Sequence, residues 1–466
     1  MNTVNDLEQA IRGELLPESA PAAGSTALGP LATDSRRLEQ GEVFWALRGP
    51  NYDGSDFAAE AFRRGAPGAV VAKPVDVPEG RWAIKVDNTT DALQHWARWK
   101  RRHFGGTVIA VTGSVGKTTT RQMIHTVLRS RLAGTASPRN FNNHLGVPLS
   151  MSAIEPEHDY AVLELGASSK GEIAALAELC APKLGVITQI GDAHLGGFGT
   201  RQSIAEAKAE LLAALPPDGH AVLGDDPWLR PVVQNCHAQI TWVGTCPQCD
   251  LIATDVQSKD GQLQFRIVLG GHPGVRFSIP VWGRHHLTAA LAAVAVGRMM
   301  GFDLDEMADL LEDYQPVPMR CQVHRIRGAT IINDTYNASP TAMLAALELL
   351  RELDAEGRRI VVVGEMGELG SQAMPLHWRL GKQAVTVGRA DLLIACGRFA
   401  RHMAAGARSA GMPAARAIPC ETLDDALPQI GQAILPGDVV LVKGSRVMAM
   451  ERLVAALETY PQRRSA

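Results

Sequence analysis

The first hundred residues carry both helical and extended hydrophobic patterns. Near the start, apolar residues recur at helical spacing, at Val4, Leu7, Ile11 and Leu15. Two short apolar runs predict strands over residues 42–47 and 69–72, and two amphipathic runs predict helices over residues 56–64 and 89–103. Thr89 or Thr90 is the expected N-cap of the last helix. The pattern therefore predicts a small mixed α/β domain over residues 1–104.

After the glycine pair at 105–106 the pattern changes to continuous apolar runs separated by helices. Such runs are typical of strands buried on both faces of a parallel sheet. Such a run occupies residues 108–111, and further strands are predicted at residues 160–165, 184–190, 330–333, 360–363, 392–395 and 439–442. We predict an α/β protein of three domains, in which a central open sheet spans residues 105–315 and a C-terminal Rossmann-like, doubly wound sheet spans residues 316–466.

Composition narrows the class of protein. A chain of 466 residues is too long for one hydrophobic core, which agrees with several domains. The net charge of −3 gives no electrostatic reason to expect nucleic acid or an anionic membrane as a partner. The N-terminus carries acidic residues and no apolar run, and no stretch approaches the ~18 apolar residues of a membrane span. Seven cysteines are few, so we expect reduced thiols and a cytoplasmic location.

One group of cysteines has the residue types of a zinc site. Cys246 and Cys249 form a CxxC, with Cys236 and His237 just upstream, and three thiolates with one imidazole could hold a tetrahedral ion. There is no second CxxC in the sequence, so a plain surface hairpin is the favoured interpretation.

A glycine-rich loop between the first buried strand of the central sheet and the next helix predicts phosphate binding. Glycines allow backbone N–H groups to surround phosphate oxygens, and the helix N-terminus adds favourable partial charge. The loop lacks the first glycine of the full Walker pattern, because Val111 stands there. Its residues are the predicted ATP ligands, with the lysine on the β- and γ-phosphates and the first threonine on Mg²⁺: Gly113, Ser114, Val115, Gly116, Lys117, Thr118 and Thr119.

Two further residues are candidate metal ligands. Glu164 ends a buried strand of the same sheet, where a carboxylate is costly unless it has a partner such as Mg²⁺. His194 lies in a loop with four glycines that follows a parallel strand, so a ligand can approach its backbone closely. The bland alternatives are a capping glutamate and a structural histidine.

These segments together resemble the Mur ligases of peptidoglycan synthesis over nearly the whole chain. Residues 112–120, TGSVGKTTT, are similar to the family's TGTNGKTT loop, and residues 140–148 resemble its NxNNxxGxP segment. Residues 164–167 are like its ELGA strand end. Ala207 and Lys208 resemble the pair whose lysine is carbamylated in the family, so the resemblance implies a carbamylated Lys208.

Other segments resemble one branch of the family, the enzymes that add D-alanyl-D-alanine. AHLGGFG at 193–199 is similar to their AHLEGFG, DTYNASP at 334–340 to DSYNANP, GEMGELG at 364–370 to GDMxELG, and VKGSR at 442–446 matches VKGSR. TDSR at 33–36 resembles the segment that holds the UDP group. The chain departs from the pattern at four positions, where Gly196 replaces Glu, His286 and Ala289 replace asparagines, and Met319 replaces Gly.

The resemblance implies a cytoplasmic, monomeric ligase that uses ATP and Mg²⁺ to join D-alanyl-D-alanine to UDP-N-acetylmuramoyl-tripeptide through an acyl phosphate. It implies catalytic roles for Lys117, Glu164, His194 and Lys208, and a second Mg²⁺ on Glu164 and His194. Further ATP contacts are expected at His286, Arg320 and Asn337. The expected substrate-binding residues are Asp34, Ser35, Arg36, Asn142, Asn143, Asp334, Tyr336, Glu365, Lys443, Ser445 and Arg446.

Three alternatives stay open on the sequence. A Mur ligase that adds a diamino acid to the UDP-dipeptide shares most motifs, but the DNPR-like motif of its diaminopimelate-adding form does not occur in this sequence. Folylpolyglutamate synthetases share the phosphate loop but not the UDP-type first domain. A phosphate-loop kinase or nucleotide switch would transfer phosphate to a hydroxyl, or hydrolyse it slowly without ligation.

Overall fold

The computed structural model describes residues 2–16, 24–268 and 274–459, and these form three sheets in succession along the chain. The first sheet has the strand order β1-β5-β4-β3-β2, with β1 antiparallel to β5 and the other pairs parallel. Its elements are α1 (Val4–Ile11), β1 (Glu14–Leu16), β2 (Leu31–Ala32), β3 (Val43–Trp45), α2 (Ala58–Arg63), β4 (Gly68–Val71), β5 (Trp82–Lys85) and α3 (Thr89–Arg102).

The first sheet and its helices differ from the sequence prediction at element ends. Helix α1 stops at Ile11 because Arg12 adopts a left-handed conformation, and Leu15 lies on β1 rather than on the helix. The predicted cap of α3 was wrong, since the Asn88 side chain accepts hydrogen bonds from the N–H groups of Thr90 and Asp91. The predicted 56–64 helix begins only at Ala58, after a 3₁₀ turn at Gly54–Phe57.

The central sheet has nine strands in the order β14-β13-β12-β11-β10-β9-β6-β8-β7. Its first eight elements are β6 (Thr107–Thr112), α4 (Lys117–Leu128), β7 (Gly134–Ala136), α5 (Gly146–Ser152), β8 (Tyr160–Glu164), α6 (Glu172–Cys180), β9 (Leu184–Ile187) and α7 (Leu195–Phe198). The others are α8 (Arg201–Ala213), β10 (His220–Gly224), β11 (Gln239–Gly244), β12 (Leu251–Lys259), β13 (Gln262–Ile267), β14 (Val275–Ile279), α9 (Leu287–Met299) and α10 (Leu304–Glu312).

The apolar runs predicted as strands in this domain are buried strands. Val108, Ile109, Ala110 and Val111 are fully buried, and alternate residues belong to separate cores on the two faces of the sheet. Strands β6, β8, β9 and β10 are parallel, so their carboxyl ends share one edge. Strands β8 and β9 end at Glu164 and Ile187, earlier than the predicted 165 and 190.

The cysteine segment is not the hairpin that the sequence favoured. Strands β11 and β12 on either side of it are parallel, and Cys246 and Cys249 lie in the turn between them with their sulfur atoms 3.2 Å apart. Among the described residues, the carboxylate of Asp225, rather than Cys236 or His237, completes the metal-type group at this turn.

The third sheet has the order β15-β16-β20-β17-β18-β19, with only β15 antiparallel. Its four predicted strands are present, and the edge strands β15 and β19 were not predicted. The elements are β15 (Gln322–Ile326), β16 (Ala329–Asp334), α11 (Pro340–Glu352), β17 (Arg359–Val363), α12 (Ala373–Thr386), β18 (Leu392–Cys396), α13 (Ala400–Ser409), β19 (Ala417–Cys420), α14 (Leu423–Ala433), β20 (Val439–Lys443) and α15 (Glu451–Thr459). No helix in the described ranges has the length and apolar character needed to cross a bilayer.

Candidate active site between the central and third sheets

A cavity of about 440 Å³ lies where the carboxyl ends of the central and third sheets face each other, a size typical of small-molecule sites. Most of the predicted site residues line it. They are Ser114, Val115, Gly116, Lys117, Thr118, Thr119, Asn142, Asn143, Glu164, His194, His286, Arg320, Asp334, Tyr336, Asn337 and Lys443.

The phosphate loop has the backbone conformation that its glycines predict. Gly113 has φ 139°, and a Cβ atom there would lie 2.1 Å from the Thr188 hydroxyl oxygen, so only glycine fits. The Thr188 hydroxyl donates to the Val115 carbonyl at 2.6 Å and fixes the loop to the end of β9. Helix α4 begins at Lys117, which places its free N–H groups beside the loop.

The Lys117 ammonium lies within this loop. Its Nζ donates to the Gly113 carbonyl oxygen at 2.8 Å. Burial lowers the pKa of Lys117, and the negative charge of the nearby Glu164 carboxylate opposes this shift. The lysine therefore presents its charge in a site of low solvation, where an anion would stabilise it strongly.

Glu164 is held in place by residues from two segments of the central domain, helix α4 and the loop before α5. One carboxylate oxygen accepts a hydrogen bond from the Thr118 hydroxyl, and the other accepts one from Asn142 Nδ2, both at 2.8 Å. The guanidinium of Arg121 lies 3.8 Å away. Because hydroxyl and carboxylate oxygens are the ligands that Mg²⁺ prefers, the converging oxygens of Thr118 and Glu164 fit that ion.

Arg320 reaches this cluster from the segment that leads into the third sheet. Its Nη2 atom donates to the Thr118 hydroxyl oxygen at 3.0 Å, and the guanidinium carbon lies 4.3 Å from the centre of the Tyr336 ring. Lys443 also lines the cavity, and its Nζ contacts an Asp334 carboxylate oxygen at 2.5 Å and the Asn337 carbonyl at 2.9 Å. Arg320 and Lys443 thus bring two cations to the cavity from the C-terminal part of the chain.

His194 joins the two domains from the other side. It adopts a left-handed conformation, and its Nδ1 atom contacts the Glu368 carboxylate of the third domain. Burial lowers the pKa of His194, and the negative charge of Glu368 opposes this shift. Metal-binding histidines commonly have one ring nitrogen fixed by a carboxylate in this way, which leaves the other nitrogen for the ion. Glu368 was missed as a site residue, although it lies in the GEMGELG segment that resembled the family.

Lys208 does not line the cavity but is buried beside it on α8. Its Nζ lies 3.4 Å from the Ala167 carbonyl oxygen and 5.4 Å from the centre of the Phe198 ring. Burial, followed by the positive charge of Lys117, lowers the pKa of Lys208 to about 7. A substantial fraction of the amine is therefore neutral at pH 7.

His286 occupies the other end of the cavity, with His285 and Ala289. The ring centres of the two histidines are 4.1 Å apart. Burial lowers the pKa of His286 well below its usual value, and the charges of His285 and Arg320 act in the same direction. His286 is therefore neutral near pH 7 and offers one donor and one acceptor on separate nitrogens.

The remaining predicted residues lie outside the cavity lining. In the N-terminal domain, the Asp34 carboxylate pairs with the Arg36 guanidinium at 2.9 Å, and the Ser35 hydroxyl donates to Glu60 at 2.9 Å. In the third domain, the Glu365 carboxylate accepts from the Arg398 N–H at 2.6 Å. Ser445 and Arg446 follow β20, and Gly113 directly follows β6.

Comparison with known proteins agrees with this geometry. A family model described as the Mur ligase middle domain matches residues 111–297, and one described as the Mur ligase glutamate ligase domain matches residues 319–446. Together these two models cover more than half of the chain, and residues from both matched ranges line the cavity. The chain belongs to the Mur ligase family.

Full-length relatives share its whole architecture. The chain is 35% identical, over 98% of its length and 99% of the relative's, to the UDP-N-acetylmuramoyl-tripeptide–D-alanyl-D-alanine ligase of Bacillus subtilis. It superimposes on a crystal structure of MurF from Acinetobacter baumannii with a TM-score of 0.84 and 31% identity, covering 98% of each chain. It superimposes on MurF ligase from Thermotoga maritima in complex with ADP with a TM-score of 0.78 and 29% identity, covering 93% of this chain and 97% of that one.

Proposed function

We propose that this protein joins the amino group of D-alanyl-D-alanine to the terminal carboxylate of UDP-N-acetylmuramoyl-tripeptide, with conversion of ATP to ADP and phosphate. The contact that supports this most directly is the hydrogen bond from Arg320 to Thr118, because it brings the third domain onto the phosphate loop. The full-length similarity to D-alanyl-D-alanine ligases supports the choice of substrates. We infer a cytoplasmic location, because the proposed reaction uses ATP and a UDP-linked substrate.

The three domains would divide the substrates among them. Residues 1–104 would bind the UDP group through Asp34, Ser35 and Arg36, residues 105–315 would bind ATP, and residues 316–466 would bind the dipeptide. In the third domain, Asp334, Glu365, Lys443, Ser445 and Arg446 surround the carboxyl ends of β16, β17 and β20. Their mixed charges suit a zwitterionic dipeptide, whose ammonium needs an anion and whose carboxylate needs a cation.

The chemistry requires a carboxylate to become a better leaving group before the amine attacks. Transfer of the γ-phosphoryl group gives an acyl phosphate, and the amine then displaces phosphate through a tetrahedral oxyanion. Lys117 and Arg320 would stabilise the charge of the transferring group. Thr118 and Glu164 would hold one Mg²⁺ and Glu164 with His194 a second, and the bound ions would neutralise phosphate charge. The His194–Glu368 contact would keep the third domain closed, which excludes water from the acyl phosphate.

A substrate panel tests the proposed reaction. Purified protein with ATP and Mg²⁺ is given UDP-muramoyl-dipeptide or UDP-muramoyl-tripeptide, each with D-alanine, D-alanyl-D-alanine or a diamino acid. We expect stoichiometric ADP and amide product only with the tripeptide and D-alanyl-D-alanine together. Efficient use of a diamino acid with the dipeptide would assign the chain to the other branch. ADP release that does not depend on an amine would indicate a kinase or a nucleotide switch.

With His286 in place of the family's asparagine, this protein should discriminate less strongly between adenine and guanine. A neutral histidine cannot offer a donor and an acceptor to one base edge as an amide does, whereas its ring can stack on any purine. We expect a modest preference for ATP over GTP, as a ratio of kcat/KM. His286→Asn should sharpen it about fivefold, the value of one hydrogen bond of about 1 kcal/mol. Strong rejection of GTP by the unmodified protein, unchanged in the variant, would show that another group reads the base.

A further inference from the structure

Three side chains with soft metal-binding atoms meet at the histidine end of the cavity, defined by His285, His286 and Ala289. His285 and His286 precede α9, and Cys321 precedes β15. Cys321 Sγ lies 3.6 Å from His285 Nε2, and one ligand atom from each of the three residues lies within 4.8 Å of the others. Histidine nitrogen and cysteine sulfur are ligand atoms that bind Zn²⁺.

The observed spacing suits a tetrahedral ion. With Zn–S near about 2.3 Å and Zn–N near about 2.0 Å, two ligands of a tetrahedral ion lie about 3.5 Å apart. The distance from Cys321 Sγ to His285 Nε2 is 3.6 Å, so an ion could bind both with little movement. An S–H···N hydrogen bond accounts for the same distance, and in that case the ion would replace the shared proton.

His286 is free to act as the third ligand. Within the part of the chain that the structure describes, its ring nitrogens make no hydrogen bond, although the residue is only 8% exposed. It lines both the main cavity and a smaller one of about 260 Å³ on the other side, as Cys321 also does. An ion at this point could therefore be reached from solvent, and its fourth position would face a cavity.

The surrounding charges are mixed. Arg320 and Lys443 are cations that disfavour a bound ion, whereas Asp334 is an anion that favours it. Lys443 is paired with Asp334 at 2.5 Å, and Asp334 also accepts a hydrogen bond from the Cys321 N–H at 3.3 Å. Because Cys321 would bind as a thiolate, it would bring its own negative charge to the ion.

The other metal-type group of the described residues is less suitable. Asp225, Cys246 and Cys249 also lie together, but the Arg230 guanidinium contacts the Asp225 carboxylate at 2.8 Å and lies 3.9 Å from the Cys246 sulfur. The positive charge of Arg230 beside two of the three candidate ligands opposes the binding of a metal cation there.

We propose that His285, His286 and Cys321 bind a soft divalent ion such as Zn²⁺, with one coordination position open to the cavity. The Cys321 thiol releases its proton to solvent as the ion binds. Because the ligands come from the start of α9 and from the segment entering the third sheet, the ion ties the central and third domains together. It occupies the end of the cavity where we place the nucleotide base, but its binding does not depend on that placement.

Cobalt binding tests the site directly, without nucleotide or substrate. Co²⁺ is added to the full chain carrying Cys246→Ser and Cys249→Ser. These two substitutions remove the thiols of the other candidate metal site. We expect one equivalent to give a near-ultraviolet sulfur-to-cobalt charge-transfer band, which Zn²⁺ abolishes by displacement. Adding Cys321→Ser should remove the band and weaken binding at least about tenfold, since even outer contacts of a metal site change affinity by about that factor.

Cys396→Ser in the same background is the matched control, because Cys396 is a buried third-domain cysteine outside both groups. It should keep the band and the affinity. Thermal melting gives a second measurement: Zn²⁺ should raise the Tm of the control but not of the Cys321→Ser chain. A band that survives Cys321→Ser, or no Co²⁺ bound to the control, would overturn the proposal.

Discussion

Lys208→Ala is expected to lose nearly all ligase activity, at least about 100-fold in kcat, while the protein stays folded. We propose that Lys208 is carbamylated, since CO₂ reacts only with a neutral amine. A lysine of ordinary pKa is neutral in about one molecule in three thousand at pH 7, whereas burial and the charge of Lys117 lower the pKa of Lys208 to about 7, so that a substantial fraction is neutral. The carbamate is an anion that would offset the buried charge of Lys117 and orient Mg²⁺ or its ligands.

Short-chain carboxylic acids should partly restore the Lys208→Ala enzyme, because a small anion can occupy the space of the missing carbamate. The control is Lys170→Ala, which removes an exposed lysine paired with Glu206 and should keep full activity without any response to added acid. Growth with ¹³C-labelled bicarbonate should give a carbamate carbon signal in the unmodified protein that Lys208→Ala lacks. Full activity of Lys208→Ala would refute carbamylation as a requirement.

The parts of the fold that the sequence predicted are those set by local pattern. Each fully apolar run, such as residues 108–111 and 360–363, became a strand of a parallel sheet, because burial on both faces leaves no room for alternation. The phosphate loop could also be predicted, because Gly113 and Gly116 have positive φ angles that favour glycine.

Edge strands and caps were harder to predict for a physical reason. Strand β15 has mostly half-buried residues, and β19 contains Pro419, so neither shows a continuous apolar pattern. The cap of α3 is Asn88 rather than Thr89 because Thr89 is buried and already helical. For the two edge strands the tertiary environment, not the local propensity, decides the element, whereas Asn88 is itself a preferred N-cap residue that the sequence prediction overlooked.

Contacts between domains could not be derived from the sequence. Nothing local in residues 193–199 shows that Gly196 N–H donates to the Glu368 carbonyl at 2.8 Å. The close approach of the Gly196 backbone to the third domain explains only in part why glycine replaces the family's glutamate here. A Cβ atom at Gly196 would lie 3.0 Å from the Gly370 nitrogen, which is a tight but not forbidden contact. The His285–His286–Cys321 group likewise exists only because the segment that leads into β15 lies beside the turn before α9.

Glu164 is the residue whose loss should damage phosphoryl transfer most specifically. Its carboxylate accepts hydrogen bonds from Thr118 and Asn142, and these orient it toward the phosphate loop. Glutamine keeps the size of the side chain and one acceptor oxygen but removes the negative charge. Since Mg²⁺ is bound mainly by charge and hard oxygen atoms, the amide should bind it far less well.

We therefore expect Glu164→Gln to lower kcat by about 100- to 1,000-fold, the usual effect of removing one preorganised electrostatic contact. The Mg²⁺ concentration for half-maximal rate should rise at the same time, which a purely structural role would not produce. The control is Asp438→Asn, which alters another buried carboxylate, paired with Arg358 at 2.7 Å in the third domain. It should lower the Tm and leave the Mg²⁺ dependence unchanged. A Glu164→Gln enzyme that is slow at an unaltered Mg²⁺ requirement would exclude Glu164 as a ligand of the ion.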